Sequence, residues 1–123
     1  MPRTETADIQ RMDWYIVARI DADVAQSPDD ARANLATAIA LSGAERLPLL
    51  LDISRCLPLT AQARQVFTGD SLHAFRAIAI IIEASALGRM MGNVYLRIAQ
   101  PGPRTQLFTS EATAIAWLQR TLL

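Results

Sequence analysis

Two stretches of the chain end in the same way. Leu49-Leu50-Leu51-Asp52-Ile53-Ser54 and Ile80-Ile81-Ile82-Glu83-Ala84-Ser85 are each an aliphatic run, one acid, one further residue and a serine. A continuous apolar run reads as a strand buried on both faces of a parallel sheet. Ligands and partners of such sheets are met at the carboxyl ends of the strands, where Asp52 and Glu83 fall. Strands ~4.8 Å apart would let the two carboxylates raise one another's pKa or share a cation. A metal would need a third ligand, and His73 is the only candidate. The ordinary alternative is that each acid accepts hydrogen bonds from the following loop, or pairs with Arg55, Arg64 or Arg89. The ordinary alternative is the one expected here.

Cys56, His73 and Asp52 have the residue types of a nucleophile, a base and an orienter. No Gly-x-Ser-x-Gly elbow surrounds any of them, and Cys56 reads better as a small buried hydrophobe. No catalytic residue, metal or cofactor is therefore assigned, and an enzyme using Asp52, Glu83 and His73 is the weakest reading. Thr60 and Ser85 stand where helix N-caps are needed, worth ~1 kcal/mol each. A helix N-terminus also welcomes a phosphate, which makes Thr60 a candidate phosphorylation site.

The elements that position these residues form one domain: 123 residues are too few for two cores. A hydrophobic fraction of 51% excludes disorder and leaves apolar surface for association. Twelve acids balance twelve bases, so no basic field favours nucleic acid or an anionic membrane. All the bases are arginine, a pattern that GC-rich codon usage explains; without lysine, Schiff-base and P-loop chemistry are excluded. The single cysteine excludes an internal disulfide and fits a reducing compartment. No signal peptide is visible, and no apolar run reaches the ~20 residues of a membrane span. The expectation is a cytoplasmic, soluble protein.

Residues 1–12 read as a flexible leader and 13–123 as the domain. Residues 14–20 are aromatic and β-branched, a first strand. Ser27 caps a helix with Pro28 at its first position, and Gly43 ends it. Ala31, Leu35, Ala38, Ile39 and Ser42 share one face of that helix. A second strand covers 47–53, and Thr60 opens a short helix over 61–67 that Gly69 stops. A third strand covers 77–83, and a helix follows over 85–99, ended by Pro101-Gly102-Pro103. A short strand over 105–108 leads, through Thr109 or Ser110 as cap, to a last helix. The string is β-α-β-α-β-α-β-α, an α/β fold with a mainly parallel sheet and packed helices.

The 85–99 helix is apolar over most of its circumference. Leu87, Met91, Val94 and Ile98 make one stripe, and Gly88, Gly92, Tyr95 and Ala99 another. Such a helix is deeply buried or has two partners. Leu87, Gly88, Arg89, Met91, Gly92 and Tyr95 are therefore a candidate dimer or ligand face, although close packing on the sheet also explains the glycines.

The string Leu50-Leu51-Asp52-Ile53-Ser54, the Thr-capped Ala-Arg helix, Ala79-Ile80-Ile81-Ile82, Gly88-Arg89-Met90-Met91-Gly92-Asn93 and Leu107-Phe108-Thr109-Ser110-Glu111-Ala112 resemble bacterial STAS/SEC14-type, SpoIIAA-like small domains. The resemblance runs from about residue 13 to 123. It implies the STAS fold and regulation through protein contacts. Anti-anti-sigma factors of this class carry an Asp-[Leu/Met]-Ser strand end followed by a phosphorylated serine in Asp-Ser-Ser-Gly. Asp52-Ile53-Ser54 matches the first part, whereas Pro58-Leu59-Thr60-Ala61 replaces the second, leaving Thr60 as the nearest hydroxyl.

The expected function is a non-enzymatic, regulatory protein–protein interaction module that self-associates as a homodimer. Its interaction rim would comprise Asp52, Ser54, Thr60, Arg64 and Glu83. The alternative, implied by the SEC14 side of the resemblance, is a carrier of a small apolar ligand. Its pocket would be lined by Met90, Met91 and Tyr95, with Arg89 or Arg64 taking an anionic head group.

Overall fold

The computed structural model describes residues 3–67 and 69–123. Five strands form one sheet in chain order: β1 Ala7–Arg11, β2 Ile16–Ile20, β3 Leu49–Asp52, β4 Ala77–Ile81 and β5 Arg104–Phe108. β1 is antiparallel to β2, and every later neighbour is parallel. The helices are α1 Pro28–Ser42, α2 Ala61–Arg64, α3 Gly69–Leu72, α4 Ala86–Ile98 and α5 Glu111–Arg120, with a 3-10 turn over Gly43–Glu45. The α/β class and the mainly parallel sheet are as expected.

The lopsided layering follows from strand order. When parallel strands are laid down one beside the next, crossovers of a single hand fall on one face. Here α1, α2 and α4 all bury their apolar residues in the cluster holding Ile16, Leu49, Ile78 and Ile80. Only α5, after the last strand, packs Ala114, Trp117 and Leu118 on the opposite face against Leu50, Ala79 and Ile81. β4, paired on both sides by β3 and β5, has all five residues buried, which is why it reads as an unbroken apolar run.

The helix starts follow the sequence. Ser27 accepts from the Asp30 amide while Asp30 reaches back to the Ser27 amide, a complete capping box. Ser85 and Ser110 accept from the amides of Gly88 and Thr113. Two expectations are corrected. Residues 7–11, placed in the leader, form β1: Ala7 and Ile9 are fully buried, and the intervening Asp8 is exposed, the alternation of a half-covered edge strand. Residues 1 and 2 lie outside the described residues. The helix expected over 61–67 is confined to Ala61–Arg64, and Gly69 begins α3 rather than stopping α2.

Candidate functional site

The carboxyl ends of β2, β3 and β4 place the rim. Asp52 ends β3, in register with Arg19 on one side and Ile81 on the other. One carboxylate oxygen accepts from the Ser54 amide at 3.0 Å and the Ser54 hydroxyl at 2.6 Å. The other accepts from Arg19 Nη1 at 3.3 Å, and Arg19 Nη2 reaches Glu111 Oε1 in the first turn of α5 at 2.5 Å. Burial opposes the Arg19 charge, but hydrogen bonds and attraction from Glu111 and Asp52 outweigh it and raise its pKa. Asp52 thus joins β3, its own turn and, through Arg19, the start of α5.

Glu83 does not complete a carboxylate pair. It lies two residues beyond the register partner of Asp52, is exposed, and has no ion pair among the described residues. Its backbone carbonyl accepts from the Ser85 amide at 2.9 Å, shaping the turn into α4. His73 precedes β4, at the end of the strand opposite Ile81, so the sheet separates it from Asp52. This placement brings together neither the trio of Cys56, His73 and Asp52 nor the set of Asp52, Glu83 and His73. Burial, with a smaller push from Asp52, raises the Cys56 thiol to about 11 despite an opposing backbone hydrogen bond. At neutral pH it is a protonated, poorly nucleophilic thiol. Among the described residues no three acid, thiol or imidazole groups converge on a metal position.

Thr60 is the N-cap of α2. Its hydroxyl accepts from the Ala63 amide at 3.1 Å and donates to the Gln26 carbonyl at 3.3 Å. The side chain of the same Gln26 is nearly fully buried: its Nε2 donates to the Tyr95 hydroxyl at 3.2 Å, and its Oε1 accepts from Asn34 Nδ2 at 2.7 Å. Asn34 also donates to Thr6 at 2.9 Å and accepts from Thr4. This network was not anticipated. Its signal was a lone amide at position 34, three residues after Ala31 and four before Ala38, on the inward stripe of α1.

The candidate face of α4 is also corrected. Gly88, Met91, Gly92 and Tyr95 are buried within this chain. A β-carbon on Gly92 would meet the Leu107 methyls at 2.8 and 2.9 Å, so the glycine stripe lies against the sheet rather than a second copy. Leu87 and Arg89 remain exposed, as does Met90. On the far side of Tyr95, between sheet and helices, is a chamber of about 50 Å³ walled by Leu35, Leu49, Phe75 and Ile98 with Gln26 and Asn34 at one end. Among the described residues no charged side chain lines it. Arg64, at the carboxyl end of α2, lies outside it, across a crevice from Met90 and Met91.

With the fold and rim in view, the chain can be placed among known proteins. The model of a domain of unknown function, DUF7793, matches residues 15–122. The chain belongs to the DUF7793 family. No protein of curated function matches the sequence. Two solved structures share the fold of this DUF7793 chain. One is an uncharacterised protein of the DUF3478 family from Shewanella loihica PV-4 with a SpoIIAA-like fold: TM-score 0.63, 20% identity, covering 96% of this chain and 98% of that one. The other is an anti-sigma factor antagonist from Mycobacterium paratuberculosis: TM-score 0.60, 14% identity, covering 93% of each chain. The DUF7793 fold here is SpoIIAA-like, as the residue resemblance implies. No helix among the described residues is long and apolar enough to cross a membrane.

Proposed function

We propose that the protein is a non-enzymatic regulatory module that binds a protein partner through the carboxyl rim of its sheet. The observation that carries this reading is a contrast along the rim. Asp52 and Thr60 are already engaged, Asp52 by Ser54 and Arg19, Thr60 by Ala63 and Gln26. The large apolar side chains beside them are exposed, Leu57 at 46%, Leu87 at 49% and Met90 at 54%. A rim whose central acid and hydroxyl are tied down while large hydrophobes stand bare is built for contact. The fold shared with an anti-sigma factor antagonist supports the same class of role. Modification of Thr60 belongs to this reading, since a phosphate there would replace the proton that Thr60 donates to the Gln26 carbonyl.

Self-association by the Gly88 and Gly92 face loses its support, because that face is used by the sheet. The lipid-carrier alternative is weakened by size: about 50 Å³ holds one or two waters at ~30 Å³ each, far short of an acyl chain. The test is a photo-crosslinker placed at position 90, with a control at the exposed position 36 on α1, used in the source cells. A defined adduct from position 90 and none from position 36 is expected. Adducts from position 36 only, or from neither, overturn the reading.

A further inference from the structure

We propose that the crevice between α2 and α4 receives a partner segment that joins a bulky apolar anchor to acidic side chains. The proposal rests on the interaction-module reading above and names the partner's chemistry. Positions 87, 90, 94 and 97 recur at spacings of three and four and so align on one face of α4. They are Leu87, Met90, Val94 and Arg97. Across from Met90 and Val94 stand Pro58, Leu59 and Arg64, with Met91 and Tyr95 deeper in the same crevice. Leu57, beside Pro58, adds another exposed hydrophobe to the lip. The crevice itself holds about 50 Å³, enough for the end of one side chain. Methionine at the lip lets it adapt to the chain that enters.

Charge decides what kind of segment fits. Arg64 and Arg97 are exposed, and neither has an ion pair among the described residues. Bare arginines cost nothing in water, but covering them without a counter-charge is expensive. Whatever buries Leu57, Leu87 and Met90 must therefore bring carboxylates to Arg64 and Arg97. A second copy supplies too few acids: this patch carries one exposed acid, Glu83, against the exposed arginines Arg64, Arg89 and Arg97, so a two-fold interface centred here leaves most of the cations uncompensated. An amphipathic acidic helix laid in the groove satisfies both the apolar stripe and the cations.

The test uses a displayed library of helix-forming peptides against the full chain and its Arg64→Glu and Met90→Asp variants, each first checked for an unchanged melting curve. The wild type is expected to enrich peptides that place Asp or Glu beside Leu, Phe or Met. Arg64→Glu should weaken a chosen synthetic peptide about tenfold, and exchanging that peptide's acid for lysine should restore binding to the variant. Met90→Asp should abolish binding of both. Apolar peptides that ignore Arg64→Glu yet are lost with Met90→Asp overturn the acidic assignment and leave the docking rim standing. No enrichment at all, with no crosslink from position 90, overturns both. Binding to phosphatidylserine–phosphatidylcholine vesicles without peptide preference, or a dimer in light scattering that Met90→Asp dissolves, overturns the proposal in favour of a lipid surface or a second copy.

Discussion

A β-carbon on Gly88 would stand 2.1 Å from the backbone carbonyl oxygen of Glu83. The turn that ends β4 therefore folds directly onto the first turn of α4, and only glycine admits it. A β-carbon on Gly92 would meet the mobile ends of Leu107 and Ile82 instead, at 2.8 to 3.0 Å. Alanine gains ~1 kcal/mol of helix propensity over glycine at either position. At position 92 that gain offsets most of the crowding. At position 88 a backbone atom must move, and overpacking of this kind costs roughly 1–3 kcal/mol or more. Gly88→Ala should lower the urea midpoint clearly, and Gly92→Ala should leave it nearly unchanged. Equal effects would mean the two glycines do not have these different neighbours.

Asn34 is the node of the buried network, with bonds to Gln26 and to Thr4 and Thr6 ahead of and entering β1. Asn34→Leu keeps the branched shape and removes every bond, stranding buried groups on Gln26. Leaving a buried polar group unpaired costs ~1–3 kcal/mol. The expected result is a loss of about 2 kcal/mol in equilibrium unfolding, with faster amide exchange in residues 4–11. Exchange confined to α1 would sever the link between Asn34 and the first strand.

How far the sequence speaks is clear from these elements. Ser27, Ser85 and Ser110 announce their helices because capping is local, and 49–52 and 77–81 read as strands because both their faces are covered. β1 is hard to read in the sequence because a half-covered edge strand offers only two apolar residues, Ala7 and Ile9, among polar ones. Asp52 and Glu83 look alike in sequence, yet one is tied down by Arg19 and Ser54 and the other is exposed. That difference depends on β2 and α5, which are remote in the chain. The stripes of α4 were legible as stripes, but which one faces the sheet depends on Leu107 in β5, again a long-range neighbour.

Cys56 offers a pH test. Burial raises its thiol to about 11, while a free cysteine ionises near 9. The folded state favours the protonated form, so this contribution to stability is intact below the unfolded pKa. It is lost as pH rises from about 9 through about 11. Iodoacetamide alkylation of the native protein should stay slow at pH 8 and climb toward pH 11; in urea the climb should come about two units earlier. Fast alkylation of the native protein at pH 8 would contradict the burial of the thiol.

Arg19 reaches Asp52 at 3.3 Å and Glu111 at 2.5 Å, a polar bridge between the end of β3 and the first turn of α5, which also pack through Leu50. If this bridge is architectural, Asp52→Asn should cost little. The asparagine oxygen still accepts from Ser54, and a part-exposed ion pair is worth ~0–1 kcal/mol. Glu111→Gln should cost a similar ~0.3–1 kcal/mol, since it removes the second partner of Arg19 and an acid from the first turn of α5. With Arg19→Gln as background, both losses should shrink, because the partner they depend on is gone. Chemical denaturation of the single and paired variants measures this coupling. The crosslink from position 90 then separates stability from recognition. An Asp52→Asn protein that melts like the wild type and keeps its adduct has Asp52 as a tie of the fold. One that melts like the wild type and loses the adduct has Asp52 in contact with the partner, which would extend the docking rim across the sheet from Met90 to Arg19.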